Sequence, residues 1–577
     1  MLGRRRKLCL FLASVFLVRW IHWSLLGSPL IGMNFRVVSN VKRFLACGFG
    51  YGAFDVPPGP QLLIAALAKA TGSEPRQLLG VVLLGLHLVL AIGFWRWIGS
   101  IGPNMAVRPE ETSSNNRVVK SVCFLIFVFL PALNSYEGFD NIESLFAASI
   151  ALNLIASIQN LQSGVAFSEG SHKSYCRVLP QASIIGIQAA AVILCRSEYL
   201  VLIPTYLVLM WGFHRALYRT DSDSRRLASI VATSVGLMIG SVALMTIRLL
   251  DVGEFSLGSG PYACHTFLDG IPERWQRPTD KTEVDRVETA MTIFGDPKVY
   301  DFSLPRMIAS HPWLTAQKVF FNVFRWSYEL GRRHVVVPVA LSSFAVIGLL
   351  VLLRDPGQAG WRRESLPEIA STLLMTIPLT LLIPTAEYLM ASYSPICMLA
   401  AVGTVSLLQW IRQFLPARLN WLANPIGAQV MMAIVLEAFL LRGGGTFSDA
   451  PQPPLDMARA IDRQMTELNS DRVILDPMSI EIDCCCKTTV LNAIVLSRLR
   501  MSQREEALPD LVASEEFSKA MTTIPSTSTK MNRKIFVVVW SNSDSSPTST
   551  DAKVKSWIST GFTQVAATSE RLIFLAR

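Results

Sequence analysis

Apolar runs of about 18 residues or more, the length of a membrane-crossing helix, alternate with short polar connectors along most of this chain. The pattern predicts eleven spans, near 7–27, 76–98, 118–134, 144–160, 180–195, 199–214, 227–248, 335–353, 368–384, 388–411 and 425–441. Between the first two lies a different stretch. Apolar positions over 35–46 fit a short amphipathic helix, and a glycine-rich turn follows. Pro57-Pro58-Gly59-Pro60 then stiffens the backbone just before a new apolar helix opens at Gln61. In the long connector 251–334, Met307, Ile308, Leu314, Val319, Phe320, Val323 and Phe324 recur at helical spacing. Such helices are expected to lie along the membrane face, with Trp313 and Trp326 at headgroup level.

Past residue 441 the periodicity changes. Residues 455–468 and 552–560 predict helices, and 472–476 and 534–540 read as buried strands. Shorter strands are expected near 562–566 and 571–575. The expected fold class is therefore an α-helical polytopic membrane protein with a small C-terminal α/β domain. The membrane domain covers 1–441, with outer loops 28–75 and 251–334, and the soluble extracytoplasmic α/β domain covers 442–577. Neither long predicted strand is followed by a glycine-rich nucleotide fingerprint.

Composition agrees with the pattern. The chain is 51% hydrophobic and 17% charged, where a soluble protein carries about 25% charged residues. A net charge of +10 suits a nucleic-acid binder in principle. Here, though, the basic residues crowd into short connectors: Arg4–Lys7 at the start, then Arg117 and Lys120, Arg215, Arg225 and Arg226, and Arg362 and Arg363. The connector 134–143 has no Lys or Arg and three acids. That asymmetry places the N-terminus inside and the tail outside, and it argues against a nucleic-acid partner. The first span has a charged head but no small-residue cleavage site, so an uncleaved signal anchor is expected. The ten cysteines show no CxxC spacing, which supports neither a zinc site nor a disulfide framework.

The outward-facing polar residues are few. Asp55, beside the prolines, is the one carboxylate of 28–68. Glu137, Asp140 and Glu143 fill the acidic connector, and Arg196-Ser197-Glu198 sits in a tight turn between two apolar runs. Each has a plain reading as well: a turn acid before proline, ordinary outer-loop acids, charges that mark the interface.

The order of FDVPPGPQLLIAALAKATG, the acidic connector, CRSEYL and PTAEYLMASYSPICMLAAVG resembles the GT-C superfamily of membrane glycosyltransferases. The nearest branch is that of the protein mannosyltransferases and the bacterial aminoarabinose transferases, and the resemblance covers 1–441, mostly as layout. It implies a polyprenyl-phosphate-sugar donor, an acceptor hydroxyl and a site at the outer face of a bacterial cytoplasmic membrane. It further implies Asp55 as the catalytic base, with Glu137, Asp140, Glu143, Arg196, Glu198 and Tyr388 binding substrate and Arg196 meeting the donor phosphate. A carboxylate would take the acceptor proton, and a cation would stabilise the leaving phosphate. A divalent cation is compatible with this scheme, but no residue is assigned as its ligand. The chain also departs from the family. Asn34 stands where an acid is usual, and Glu387-Tyr388 where Arg-Tyr is usual. Two other readings therefore stay open: a catalytically degenerate membrane scaffold, and a transporter or flippase, for which inverted repeats would be expected. The sequence names neither the sugar nor the acceptor.

Overall fold

The computed structural model describes residues 2–25, 37–38, 40–42, 44–45, 48–49, 58–101, 112–134, 141–162, 172–218, 224–253, 255–257, 260–277, 283–331, 339–354, 366–382, 386–413, 472–475, 535–540, 563–567 and 572–576. The chain divides into two compact units, Met1–Leu25 with Phe49–Phe447, and Leu26–Gly48 with Ser448–Arg577.

The first unit is helical. Its helices are α1 (Leu2–Leu25), α2 (Gly59–Thr71), α3 (Pro75–Ile101), α4 (Thr112–Val128), α5 (Ile142–Gln162), α6 (His172–Cys195), α7 (Tyr199–Tyr218) and α8 (Ser224–Val252). After the helices of the long connector come α13 (Val339–Arg354), α14 (Leu366–Leu374) and α15 (Tyr393–Arg412). Among the described residues six helices are long and apolar enough to cross a membrane. The protein is an integral, multi-pass membrane protein. The expected span 425–441 lies outside the described residues.

The bundle is organised on α5, which is buried along nearly its whole length. Where a helix has no water to face, polar side chains bond to neighbouring backbone instead. Ser149 Oγ donates to Leu86 O (3.0 Å) and Asn153 Nδ2 to Val89 O (2.9 Å). Arg96 of α3 donates to Asn153 Oδ1 (3.1 Å) and Ser157 Oγ (2.9 Å). Gly93 makes the close approach possible, because a Cβ there would stand 2.8 Å from Asn153 Nδ2.

Three predicted spans are not continuous helices. That at 118–134 stops at Val128 and resumes as the single turn Pro131–Asn134. Pro131 has no N–H to continue the ladder. The freed carbonyls of Phe127 and Val128 accept from the buried guanidinium of Arg19 in α1, at 3.0 and 2.8 Å, and Arg19 also donates to Asn134 Oδ1. That at 368–384 ends as α14 at Leu374 and continues as the 3-10 helix Ile377–Leu381, with Pro378 inside it. That at 388–411 opens as a second 3-10 helix, Ala386–Ser392, before α15.

The long connector forms α9 (Gly260–Asp269), α10 (Glu283–Phe294), α11 (Leu304–Ser310) and α12 (Pro312–Gly331). They share a small core around Phe267, Leu268, Phe294 and Met307. An Arg286–Asp269 ion pair at 2.8 Å closes one side. Trp313 is exposed, but the expectation for Trp326 fails. Its ring is buried, and its Nε1 donates to Thr376 Oγ1 at 3.1 Å. An indole that finds an acceptor inside the protein has no need of the headgroup layer.

In the second unit, helical backbone occurs at 37–38, 40–42 and 44–45, with Val37, Val38 and Val41 buried. The tail carries β1 (Arg472–Leu475), β2 (Ile535–Trp540), β3 (Thr563–Ala567) and β4 (Leu572–Ala576) in one sheet of order β1-β2-β4-β3. β1 runs parallel to β2, while β4 is antiparallel to both its neighbours. A parallel pair cannot be closed by a tight two-residue turn. The helices expected at 455–468 and 552–560 lie outside the described residues.

Candidate functional site

Residues far apart in sequence meet at one end of the first unit, around the turn between α6 and α7. Helix α6 ends at Cys195, and Arg196 N still donates to Val192 O (2.9 Å). Glu198 then opens α7, its carbonyl accepting from Val201 N and Leu202 N at 3.0 and 3.2 Å. A carboxylate at a helix N-terminus and a cation at a helix C-terminus both sit well with the helix dipoles. The two side chains also face each other. Arg196 Nη2 donates to Glu198 Oε1 at 3.2 Å, and Nε approaches Oε2 at 3.5 Å.

The remaining guanidinium surface is covered from two other elements. Arg196 Nη1 donates to Ser144 Oγ in the first turn of α5. The ring of Tyr388, in the 3-10 helix Ala386–Ser392, lies 4.1 Å from the guanidinium carbon, a cation–π contact. Arg196 is buried, and in a membrane bundle a buried cation marks a functional site by default. Burial alone would push the Glu198 carboxyl up. The charge of Arg196, the Glu198 backbone and the Arg196 hydrogen bonds outweigh it and hold the group below its usual range.

The proline-rich end of the first loop is packed against this turn. Pro58 O accepts from Leu62 N (2.8 Å) and starts α2, with Pro60 already inside the helix. A Cβ on Gly59 would stand 2.8 Å from Cys195 Sγ and 2.9 Å from Leu194 O, so glycine is what lets this backbone touch the end of α6. Two residues on, the buried Gln61 donates from Nε2 to Glu143 Oε1 at 3.3 Å. Glu143 lies in the first turn of α5, where Asn141 Oδ1 accepts from Ser144 N at 2.9 Å and caps the helix.

Ser144, Arg196, Glu198, Tyr199, Leu202, Leu379 and Tyr388 line a narrow cleft of about 10 Å³, charged on one wall and apolar or aromatic on the other. Ligand pockets run to about 300–1,000 Å³, so the described walls enclose room for about one water rather than a full site. Of the residues read from the sequence, Arg196, Glu198 and Tyr388 are brought together here. Glu143 lies beside them through Ser144. Asp55, Glu137 and Asp140 lie outside the described residues, as does Asn34, and of Glu387 the backbone alone is described. Sequence reasoning missed Ser144 and Gln61. Neither type carries chemistry by itself, and the available signal was position, one residue from Glu143 and one after the proline motif.

Among the described residues no group of three or more His, Cys, Asp or Glu side chains is placed to hold a metal ion. His311 Nε2 instead pairs with the Tyr300 hydroxyl at 2.9 Å.

No protein-family model and no curated protein matches the chain. Among solved structures it is similar to the archaeal oligosaccharyltransferase AglB from Archaeoglobus fulgidus, in complex with an inhibitory peptide and a dolichol-phosphate. That likeness has 11% identity, covers 92% of this chain and 69% of that one, and has a TM-score of 0.46. It is also similar to ArnT from Cupriavidus metallidurans bound to undecaprenyl phosphate, at 12% identity over 98% of this chain and 97% of that one, with a TM-score of 0.36.

Proposed function

We propose that this protein is a membrane glycosyltransferase that moves a sugar from a polyprenyl-phosphate donor to an acceptor hydroxyl at the outer membrane face. The observation that carries the reading is the buried Arg196 guanidinium, held at a helix turn by Glu198, Ser144 and the Tyr388 ring, against the end of the proline-rich loop. A fixed cation in a partly apolar cleft suits a lipid-linked phosphate, since the charge that develops on the leaving phosphate needs a donor already in place. The apolar wall of Leu202 and Leu379 suits the lipid side of the bond.

In this reading Asp55, three residues before Pro58, takes the acceptor proton, and Arg196 receives the donor phosphate. Glu198 and Ser144 orient the guanidinium, Tyr388 covers it, and Glu143, Glu137 and Asp140 bind the sugar or acceptor. The attacking hydroxyl oxygen bonds to the anomeric carbon as the carbon–phosphate-oxygen bond breaks, which gives an inverted product and a free polyprenyl phosphate. The positive-inside pattern supports an inside N-terminus and an outer-face site.

The test is turnover of a radiolabelled polyprenyl-phosphate sugar by the purified full-length protein in nanodiscs, with Asp55→Asn and Arg196→Met alongside. Wild-type transfer, a loss of 100-fold or more in Asp55→Asn, and a comparable loss in Arg196→Met are expected. A wild-type protein that binds polyprenyl phosphate without transferring sugar would instead point to a scaffold.

A further inference from the structure

Helix α12 carries two rows of side chains that are inverted relative to a helix in water. Lys318, Asn322 and Trp326, spaced by four residues, are 0%, 0% and 7% exposed. Phe320, Phe324 and Tyr328, also spaced by four, are 60%, 64% and 65% exposed, and Trp313 on the same side is 73% exposed. The rows are two residues out of step, about 200° apart around a helix of 3.6 residues per turn, so they occupy opposite faces. An aromatic row turned outward, with donors turned inward, belongs to a helix lying in a membrane interface.

The inward row makes a ladder. Lys318 Nζ donates to Leu381 O at 2.6 Å and lies 3.4 Å from Leu382 O. Asn322 Nδ2 donates to Thr380 O at 2.9 Å, and Trp326 Nε1 to Thr376 Oγ1 at 3.1 Å. As α12 runs forward, its partners run backward through 382, 380 and 376. That stretch leaves the α-helical ladder after α14, with Pro378 in its 3-10 turn, and Lys318 and Asn322 take up its freed carbonyls. The same two residues reach the end of α9: Lys318 Nζ donates to Phe267 O at 2.5 Å, and Asn322 Nδ2 to Gly270 O at 2.8 Å. Thr376 Oγ1 shares a hydrogen bond of 3.1 Å with Ser392 Oγ, which closes the loop of chain bearing Tyr388. Leu379 and Tyr388, both on the stretch so held, wall the Arg196 cleft.

We propose that Lys318, Asn322 and Trp326 are positioning residues, through which the interfacial helix α12 sets the height of Leu379 and Tyr388 over Arg196. None of them touches the cleft. Their effect on substrate rests on the proposed transferase reading, whereas their effect on the chain segment does not.

The experiment uses the full-length protein in nanodiscs, with Asn322→Leu, Trp326→Phe and the pair combined. Lys318→Met is added as the stronger variant, and Asn322→Gln as the conservative one. Hydrogen–deuterium exchange is followed in peptides covering 376–392, and phenylglyoxal modification of Arg196 by mass spectrometry. Undecaprenyl phosphate is titrated as the probe. In the double variant, exchange over 376–392 should quicken at least tenfold and Arg196 modification at least threefold, while peptides of α5 stay at wild-type rates. Asn322→Gln should recover part of both. Probe affinity should fall at least threefold. Unchanged exchange or unchanged Arg196 reactivity in the double variant overturns the proposal, and so does faster exchange spread evenly over the bundle. If wild type does not bind undecaprenyl phosphate, the functional reading fails, and the Arg196 reactivity still decides the positioning role.

Discussion

Glu198→Gln removes the charge from one partner of the Arg196 pair while keeping its shape. A charge-assisted hydrogen bond contributes about 1.5–3 kcal/mol. One of the two contacts is at 3.2 Å and the other at 3.5 Å, and the Glu198 side chain is 22% exposed. Those facts favour the lower half of the range, about 2 kcal/mol. Arg196 keeps Ser144 and the Tyr388 face, so the loss stays below the 3–5 kcal/mol of a wholly abandoned buried charge. For a 150–250-residue domain 1 kcal/mol moves the melting midpoint by about 2–4 °C, and the shift shrinks with chain length, so about 2–4 °C in all is expected here. The assay is thermal unfolding of wild type, Glu198→Gln, Arg196→Met and the double variant in one detergent. The double variant should be about 2 kcal/mol, or its midpoint equivalent, less destabilised than the sum of the singles. The pH dependence has a definite sign. With the folded carboxyl held below its ordinary value of 4.5, the pair's contribution is complete above that pH and disappears as pH falls through the lower folded value. The gap between wild type and Glu198→Gln should therefore be flat from about pH 8 to pH 5 and close only below about 4.5. Additive midpoints, or a gap that begins to close near pH 6, would refute the coupling.

Other changes probe the frame around the turn. Gly59→Ala sets a methyl against Leu194 O and Cys195 Sγ; a cost of about 1–3 kcal/mol and reduced sugar transfer are expected. Gly72→Ala, at a left-handed helix cap with φ of 67°, should cost about 1 kcal/mol and leave transfer unchanged; comparing the two in melting and turnover assays separates site geometry from general stability. Arg19→Met removes the charged donor from Asn134 Oδ1 and from two carbonyls, leaving Val128 O with Asn134 Nδ2 at 3.0 Å and Phe127 O with Leu130 N at 3.5 Å. A loss of about 2–4 kcal/mol should appear as a lower aggregation temperature in size-exclusion profiles, with Arg19→Lys in between.

Much of the bundle was legible because membrane insertion is decided by local composition. A run of 18 apolar residues cannot be stable in water, and basic connectors cannot easily cross. Pro57-Pro58-Gly59-Pro60 announced a rigid entry to α2, and Arg196-Ser197-Glu198 announced a turn, since charges do not sit within a span without a reason. Local strand character in the tail was readable from β-branched runs such as 535–540. What the sequence could not declare was which groups would meet. Nothing in it couples Gly59 to Leu194, Ser144 to Arg196 or Lys318 to the carbonyls of 381 and 382. Those contacts span 52 residues and more and follow from how helices stack. The same limit explains Trp326. Its periodic spacing said that it belonged to an amphipathic helix, but the indole turned inward because the broken stretch after α14 offered it an acceptor. Apolar patterning settles where each segment can exist. The tertiary packing decides which polar groups find partners, because a hydrogen bond in a dry interior depends on the position of both atoms, and periodicity fixes one at a time.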